Sequence, residues 1–219
     1  MRSELDHGLA AIEGELLGRM EGCEALVGSA VDCLLTGDHP AAEALSRRAR
    51  ELAQSERATD AQLLALIARQ SPVAGDLRVA IALLHLNERT GRIVAQCATI
   101  AALAGSSPSS LRPSTAQSVC VGEMADLVVE QIRQAVGAFA ARDPQLARGI
   151  EQRDAAINEL NRACFALGVS EGRAPDEREV ALFCALAARA IERVGDNAVG
   201  IARQVEHAAP RGRALTAAA

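Results

Sequence analysis

The chain has 219 residues, of which 49% are hydrophobic and 23% charged, and its formal net charge is −5. That length is enough for one or two domains with a buried core. Aromatic residues make up only 1%, and an acidic chain without aromatic stacking platforms is a poor nucleic-acid binder, so we expect no nucleic-acid partner. The N-terminus does not resemble a signal peptide and no apolar run reaches membrane-spanning length. We therefore predict a cytoplasmic protein without direct membrane insertion.

Helix-forming residues dominate the chain, and no β-branched or aromatic run has strand length, which predicts an all-α fold. Turn signals separate the helices. Asp38-His39-Pro40 and Asp143-Pro144 each combine a helix cap with a proline in the next first turn. The predicted helices are, in chain order, 3–35, 41–69, 72–104, 115–141, 144–169 and 176–207.

Three glycines, Gly14, Gly18 and Gly22, lie on one face of the first predicted helix. They indicate either a neighbouring helix at short range or glycines tolerated at the surface.

The six cysteines are scattered through apolar helical patterns without a Cys-x-x-Cys pair. This distribution favours reduced, buried thiols over a disulfide or zinc framework. Their positions are 23, 33, 97, 120, 164 and 184.

Two landmarks recur at nearly the same spacing. Glu88-Arg89-Thr90-Gly91-Arg92 returns 104 residues later as Glu192-Arg193-Val194-Gly195-Asp196, and the Asp-Pro turn returns after about 105. Both spacings indicate an internal duplication. We predict two tandem three-helix bundles made of six long up-down helices: a first repeat over 3–104, a linker over 105–114, a second repeat over 115–207 and a disordered tail over 208–219.

Oxygen-bearing side chains form two stripes in the second repeat. Glu192 and Asp196 share one face of the last helix, and Asp154 and Asn158 lie on the preceding one. Antiparallel packing would bring the stripes together into a carboxylate metal site. The alternative is a solvated face tied by surface ion pairs to Arg189 and Arg193.

The first repeat lacks the equivalent set. Glu88 remains, but Arg92 replaces the second carboxylate, and the facing segment Arg47-Arg48-Ala49-Arg50 is basic. We predict that this site is degraded and that Arg92 pairs with Glu88 or with a carboxylate across the bundle.

The sequence contains no arrangement typical of an enzyme. A di-iron bundle requires two Glu-x-x-His motifs, and only Glu4-x-x-His7 is present. Neither a Ser-His-Asp set nor a glycine-rich phosphate loop is found. We therefore predict a protein without catalytic activity.

Two motifs carry a family resemblance. The segments 72–78 (Pro-Val-Ala-Gly-Asp-Leu-Arg) and 192–198 (Glu-Arg-Val-Gly-Asp-Asn-Ala), on a duplicated three-helix frame, resemble the PhoU family over residues 3 to 207. The resemblance implies a regulator of phosphate homeostasis, which is often a homodimer. Such a regulator couples the ATPase of the phosphate ABC transporter to a sensor histidine kinase and represses uptake and the starvation response when phosphate is ample.

The resemblance also implies metal ligands. Glu192 and Asp196 match the family's Glu/Asp-x-x-x-Asp motif, Asp154 matches an acidic position on the preceding helix, and Asn158 occupies a slot that is often acidic. The first repeat departs from this pattern at Arg92. We therefore expect no required cofactor, and at most one divalent, iron or zinc cation, in the second repeat. A carboxylate-rich metal-binding bundle with a storage or redox role is the alternative function.

Overall fold

The computed structural model describes residues 2–107, 112–151, 154–170 and 174–208. Every regular element within these ranges is an α-helix, which confirms the predicted fold class. The helices are α1 (Arg2–Thr36), α2 (His39–Gln70), α3 (Ala74–Ser106), α4 (Thr115–Ala141), α5 (Pro144–Glu151), α6 (Asp154–Ser170) and α7 (Pro175–Ala208).

The predicted turn signals begin helices where they were expected. Asp38 caps α2 by accepting a hydrogen bond from the Ala41 amide at 2.9 Å, and proline occupies the first turn. Asp143 accepts a hydrogen bond from the Gln145 amide at 2.8 Å. Ser114 and Gln117 form a reciprocal capping box at the start of α4. Each cap satisfies amide donors that the first helical turn leaves without a partner.

Some predicted boundaries fall at gaps in the description. The predicted fifth helix corresponds to α5 and α6, and residues 152 and 153 between them lie outside the described ranges. Part of the predicted linker, 108–111, and the predicted tail beyond 208 also lie outside them. The domain boundaries therefore stay predictions.

The helices form two three-helix bundles that pack against each other. Helices α1, α2 and α3 enclose the first core, and α4, α5–α6 and α7 enclose the second. Helix α3 packs on α7, and α1 packs on α4, where Arg142 pairs with Glu13 at 2.7 Å and Arg133 pairs with Glu24 at 2.8 Å. Phe139 is the only aromatic side chain in the buried core of the described residues, so aliphatic side chains fill nearly all of it. Within the described ranges, no helix is both long and apolar enough to cross a membrane.

One cysteine prediction was wrong. Cys120 of α4 and Cys164 of α6 lie in disulfide contact, with their Cα atoms 6.1 Å apart. The two residues are separated by 44 positions, and only the packing of α6 against α4 brings them together. Cys23 and Cys97 are buried thiols as predicted, and burial raises the pKa of Cys23 to about 12.

The glycine stripe of α1 faces open space. A Cβ atom added at Gly14, Gly18 or Gly22 would meet nothing within 4 Å, so these glycines pack against no other helix among the described residues. Gly91 on α3 is different, because a Cβ atom there would overlap the carboxylate of Glu56. The surface interpretation therefore holds for the α1 stripe, whereas Gly91 permits a close approach.

We expect Gly14→Ala, Gly18→Ala and Gly22→Ala each to raise the free energy of unfolding by about 1 kcal/mol, because alanine restricts the unfolded chain and favours the helix. Gly91→Ala is the matched control and should gain less stability, since the new methyl group makes the flexible carboxylate end of Glu56 move. Urea titrations followed by circular dichroism measure both changes. A stripe variant that loses stability would show that the α1 face has a partner.

Candidate functional site

The second repeat brings the predicted oxygen ligands to one helix pair. Asp154 and Asn158 lie one turn apart on α6, and Glu192 and Asp196 lie one turn apart on α7, which packs against α6. The four residues differ in exposure. Glu192 is buried, with 7% of its surface exposed, Asp154 and Asn158 are half-buried, and Asp196 is exposed. The site therefore opens to solvent on the Asp196 side.

Glu192 is the member of this group whose pKa is shifted. Burial raises the pKa of its carboxyl group, and the charges of Asp196 and Asp154 raise it further, whereas the neighbouring Arg189 opposes the shift. Arg189 forms a hydrogen-bonded ion pair with Glu192. The predicted surface pair is thus present at Arg189, and the cation beside Glu192 is a guanidinium group.

Asp154 has one satisfied and one unsatisfied oxygen. Its Oδ2 accepts a hydrogen bond from Asn158 Nδ2 at 2.9 Å. Its Oδ1 is buried and has no hydrogen-bond partner among the described residues. A buried carboxylate oxygen without a partner is costly, so this atom is an open acceptor for a cation or another donor.

The donor chemistry suits a hard cation, because Ca²⁺, Mg²⁺ and Mn²⁺ prefer carboxylate and amide oxygens. The geometry is incomplete. Among the described residues, no three His, Cys, Asp or Glu side chains surround one point as metal ligands would. The structure therefore gathers Glu192, Asp196, Asp154 and Asn158 on one face without closing them into a coordination shell.

The first repeat contains the predicted ion pair. Arg92 donates to Glu88 Oε1 at 2.5 Å, and both side chains are about half exposed. Ala49 is buried and supplies no ligand. The guanidinium group of Arg92 thus lies beside Glu88, the position that Asp196 occupies beside Glu192 in the second repeat.

A buried polar network in the first repeat was not anticipated from the sequence. Arg19 of α1 donates to Thr59 Oγ1 and to Asn87 Oδ1, both at 2.9 Å. Asn87 Nδ2 in turn donates to Asp60 Oδ1 at 2.7 Å and to the Glu56 carbonyl at 2.8 Å. Asn87 is fully buried, so these bonds tie α1, α2 and α3 together inside the core. An asparagine within the apolar pattern of α3 was the available signal.

Glycines in the repeated phrase, and Gly200 shortly after it, leave room for polar side chains of neighbouring helices. A Cβ atom at Gly195 would lie 2.9 Å from Gln131 Oε1, and one at Gly200 would lie 2.9 Å from Arg89 Nε. Gly91 plays the same part for Glu56. The Glu-Arg-x-Gly phrase is therefore a helix-packing feature in both repeats.

The family model of the PhoU domain matches this chain twice, over residues 20–104 and 121–205. The chain belongs to the PhoU family. The two matches fall on the two three-helix repeats, which confirms the internal duplication.

Named relatives span nearly the full length of the chain. It is 29% identical over 196 residues to the phosphate-specific transport system accessory protein PhoU homolog 1 of Mycobacterium tuberculosis, covering 87% of this chain and 88% of that protein. It is 27% identical over 220 residues to the PhoU homolog of Rhizobium meliloti, covering 93% and 89%. The similarity therefore applies to both repeats together.

Solved structures show the same fold. The crystal structure of PhoU from Pseudomonas aeruginosa matches with a TM-score of 0.76 and 26% identity, covering 93% of this chain and 94% of that one. The PhoU structure from Streptococcus pneumoniae matches with a TM-score of 0.82 at 18% identity, covering 92% and 94%, which supports the fold alone.

The raised pKa of Glu192 predicts a pH dependence of stability. The folded-state pKa lies above the ordinary value of 4.5. Between these two pKa values the folded protein therefore binds more protons than the unfolded chain. The stability contributed by Glu192 is thus fully present below the ordinary value and is lost as the pH rises through the folded-state pKa. We expect Glu192→Gln to reduce the decline in unfolding free energy as the pH rises above 4.5, measured by urea titration at each pH. Superimposable profiles for the two proteins would contradict this prediction.

Proposed function

We propose that this protein is a cytoplasmic, non-catalytic regulator of phosphate homeostasis. It couples the ATPase subunit of a high-affinity phosphate ABC transporter to a sensor histidine kinase. When phosphate is ample, it represses phosphate uptake and the starvation response. The proposal includes a homodimer as the working form.

The observation that carries this proposal is the match of both repeats to the PhoU domain. The relatives that match over most of their length are named as accessory proteins of the phosphate-specific transport system. An accessory role requires surfaces rather than a reaction centre. The candidate site is consistent with such a role, because Arg189 already neutralises its buried carboxylate.

Deletion of the gene tests the regulatory role. We expect the deletion strain to take up radiolabelled phosphate faster than the parent in phosphate-rich medium, and a starvation-response reporter to be switched on. Both effects should disappear on complementation with the intact chain. The tagged protein should also co-purify with the transporter ATPase or the kinase. Unchanged uptake and an unchanged reporter would refute the proposal.

A second candidate function is metal binding in the second repeat, with a storage or redox role. The open Oδ1 atom of Asp154 favours it, because that buried oxygen has no donor in the described structure. Asp154, Glu192, Asp196 and Asn158 would hold the cation, which would serve as a hard Lewis acid. For this to happen, Glu192 must release Arg189, so the guanidinium group competes with the metal.

Isothermal titration with Mn²⁺, Zn²⁺ or anaerobic Fe²⁺ tests this second function. We expect one cation per chain, with affinity lost in Asp154→Asn and increased in Arg189→Gln, because the latter removes the competing charge. Glu88→Gln, in the first repeat, is the matched control and should bind like the wild type. Equal affinity in wild type and Asp154→Asn would exclude the site. A metal-dependent turnover lost in Asp196→Ala would favour the storage or redox role over the regulatory one.

A further inference from the structure

Four large apolar side chains are exposed on the outer face of the second repeat. Such side chains are unusual at the surface when they cluster, and a patch on the order of 400 Å² on a monomer is often a binding site. They occur in pairs one turn apart, two on α6 and two on α7. Their exposed fractions are 63% for Phe165, 75% for Val169, 52% for Leu182 and 46% for Leu186.

The packing of α6 on α7 places the two pairs side by side. Gly168 contacts α7 so closely that an added Cβ atom would lie 3.2 Å from the Ala181 carbonyl oxygen and 3.2 Å from the Ala185 Cβ. Helix α4 covers one flank of this contact, where Cys120 meets Cys164. On the opposite flank, helical geometry aligns 165 and 169 of α6 with 182 and 186 of α7. The four side chains thus form one seam, which we call the α6–α7 patch.

Cationic side chains border one end of the α6–α7 patch. Arg162 of α6 and Arg193 of α7 are exposed, and neither has an ion-pair partner among the described residues. Arg189 lies between them and is held by Glu192. Asp196 is almost one further turn along α7, beyond Arg193 and away from the patch. At this end of the seam the bordering charges are therefore guanidinium groups, whereas the exposed carboxylate of Glu179 lies at the opposite end on α7.

We propose that the α6–α7 patch binds an amphipathic helix of a partner protein. That helix presents apolar side chains at positions i, i+4 and i+7 to the patch and carboxylates at one end to Arg162 and Arg193. One helix is the favoured occupant, because four side chains on two neighbouring helices form a short seam with cations at one end. A stable dimer interface, in contrast, buries about 800 Å² on each partner. The proposal deepens the regulatory role proposed above and rests on it.

A peptide of about 16 residues tests the docking surface, since its helical length of roughly 24 Å spans the patch and its charged end. The probe carries leucines at i, i+4, i+7 and i+11 and glutamates at one end, and a matched peptide carries lysines in place of the glutamates. By fluorescence anisotropy, we expect the glutamate peptide to bind the wild type. Leu186→Asp should weaken binding by about tenfold or more, because it introduces a charge into the apolar seam.

Charge reversal separates docking from non-specific adhesion. Arg193→Glu should weaken binding of the glutamate peptide and strengthen binding of the lysine peptide. Leu64→Asp is the matched control, because Leu64 is also an exposed leucine but lies on α2, and this variant should bind the peptide like the wild type. Circular dichroism of each variant confirms that the helices remain folded.

Three results would overturn the proposal: no saturable binding of the glutamate peptide, equal binding by Leu186→Asp, or self-association of the wild type that Leu186→Asp abolishes. The last result would assign the patch to a second copy of the chain. The deletion phenotype is measured without the peptide, so a failed peptide test beside intact phosphate regulation removes only the docking surface. Leu186→Asp should fail to complement the deletion; full complementation would also overturn the proposal.

Discussion

The contact between α3 and α7 is the constraint on which the rest of the structure depends. Each of these helices belongs to one repeat, and their contact joins the two bundles. Gly200 permits the close approach, because the guanidinium group of Arg89 lies where a larger side chain would be, and Arg89 donates to Asn197 at 3.3 Å. A core with so few aromatic rings depends on many small contacts between aliphatic side chains. The energy of these contacts falls steeply as the distance between the helices grows.

The two repeats share one helical frame but differ in the charged side chains that lie beside their acidic residues. The first repeat has an arginine beside two acidic groups: Arg92 pairs with the half-exposed Glu88, and Arg19 joins the Asn87–Asp60 network. In the second repeat Arg189 pairs with Glu192, and Asp154 Oδ1 has no donor among the described residues. The two repeats therefore differ in the charge placed beside the shared glutamate, which is Arg92 in the first and Asp196 in the second.

The outer face of α6 and α7 combines the features that set the second repeat apart. It carries the candidate cation site at one end and the apolar seam at the other. Between them lie the guanidinium groups of Arg162 and Arg193, which have no ion-pair partner in the part of the chain that the structure describes. The open face of α1 is different in kind, since glycines supply neither apolar area nor charge. The two repeats therefore present chemically different faces to solvent, in spite of their common frame.

The sequence by itself determined whatever depends on neighbours along one helix. Caps predicted the helix starts at Asp38 and Asp143, the repeated phrase predicted the duplication, and the i, i+4 spacing predicted the Glu88–Arg92 pair. The regular periodicity of a helix is enough to place these groups. The sequence also identified the α6 and α7 stripes, because each stripe repeats at helical spacing.

Only the tertiary structure decided the partners across helices. The disulfide contact of Cys120 with Cys164, the network around Asn87 and the open oxygen of Asp154 all depend on how one helix is rotated and shifted against another. The periodicity of a single helix gives neither the rotation nor the shift of that helix against its neighbour. Both depend on side-chain packing over the whole interface. That is why the candidate ligands could be predicted as residues, whereas their failure to converge on one point could not.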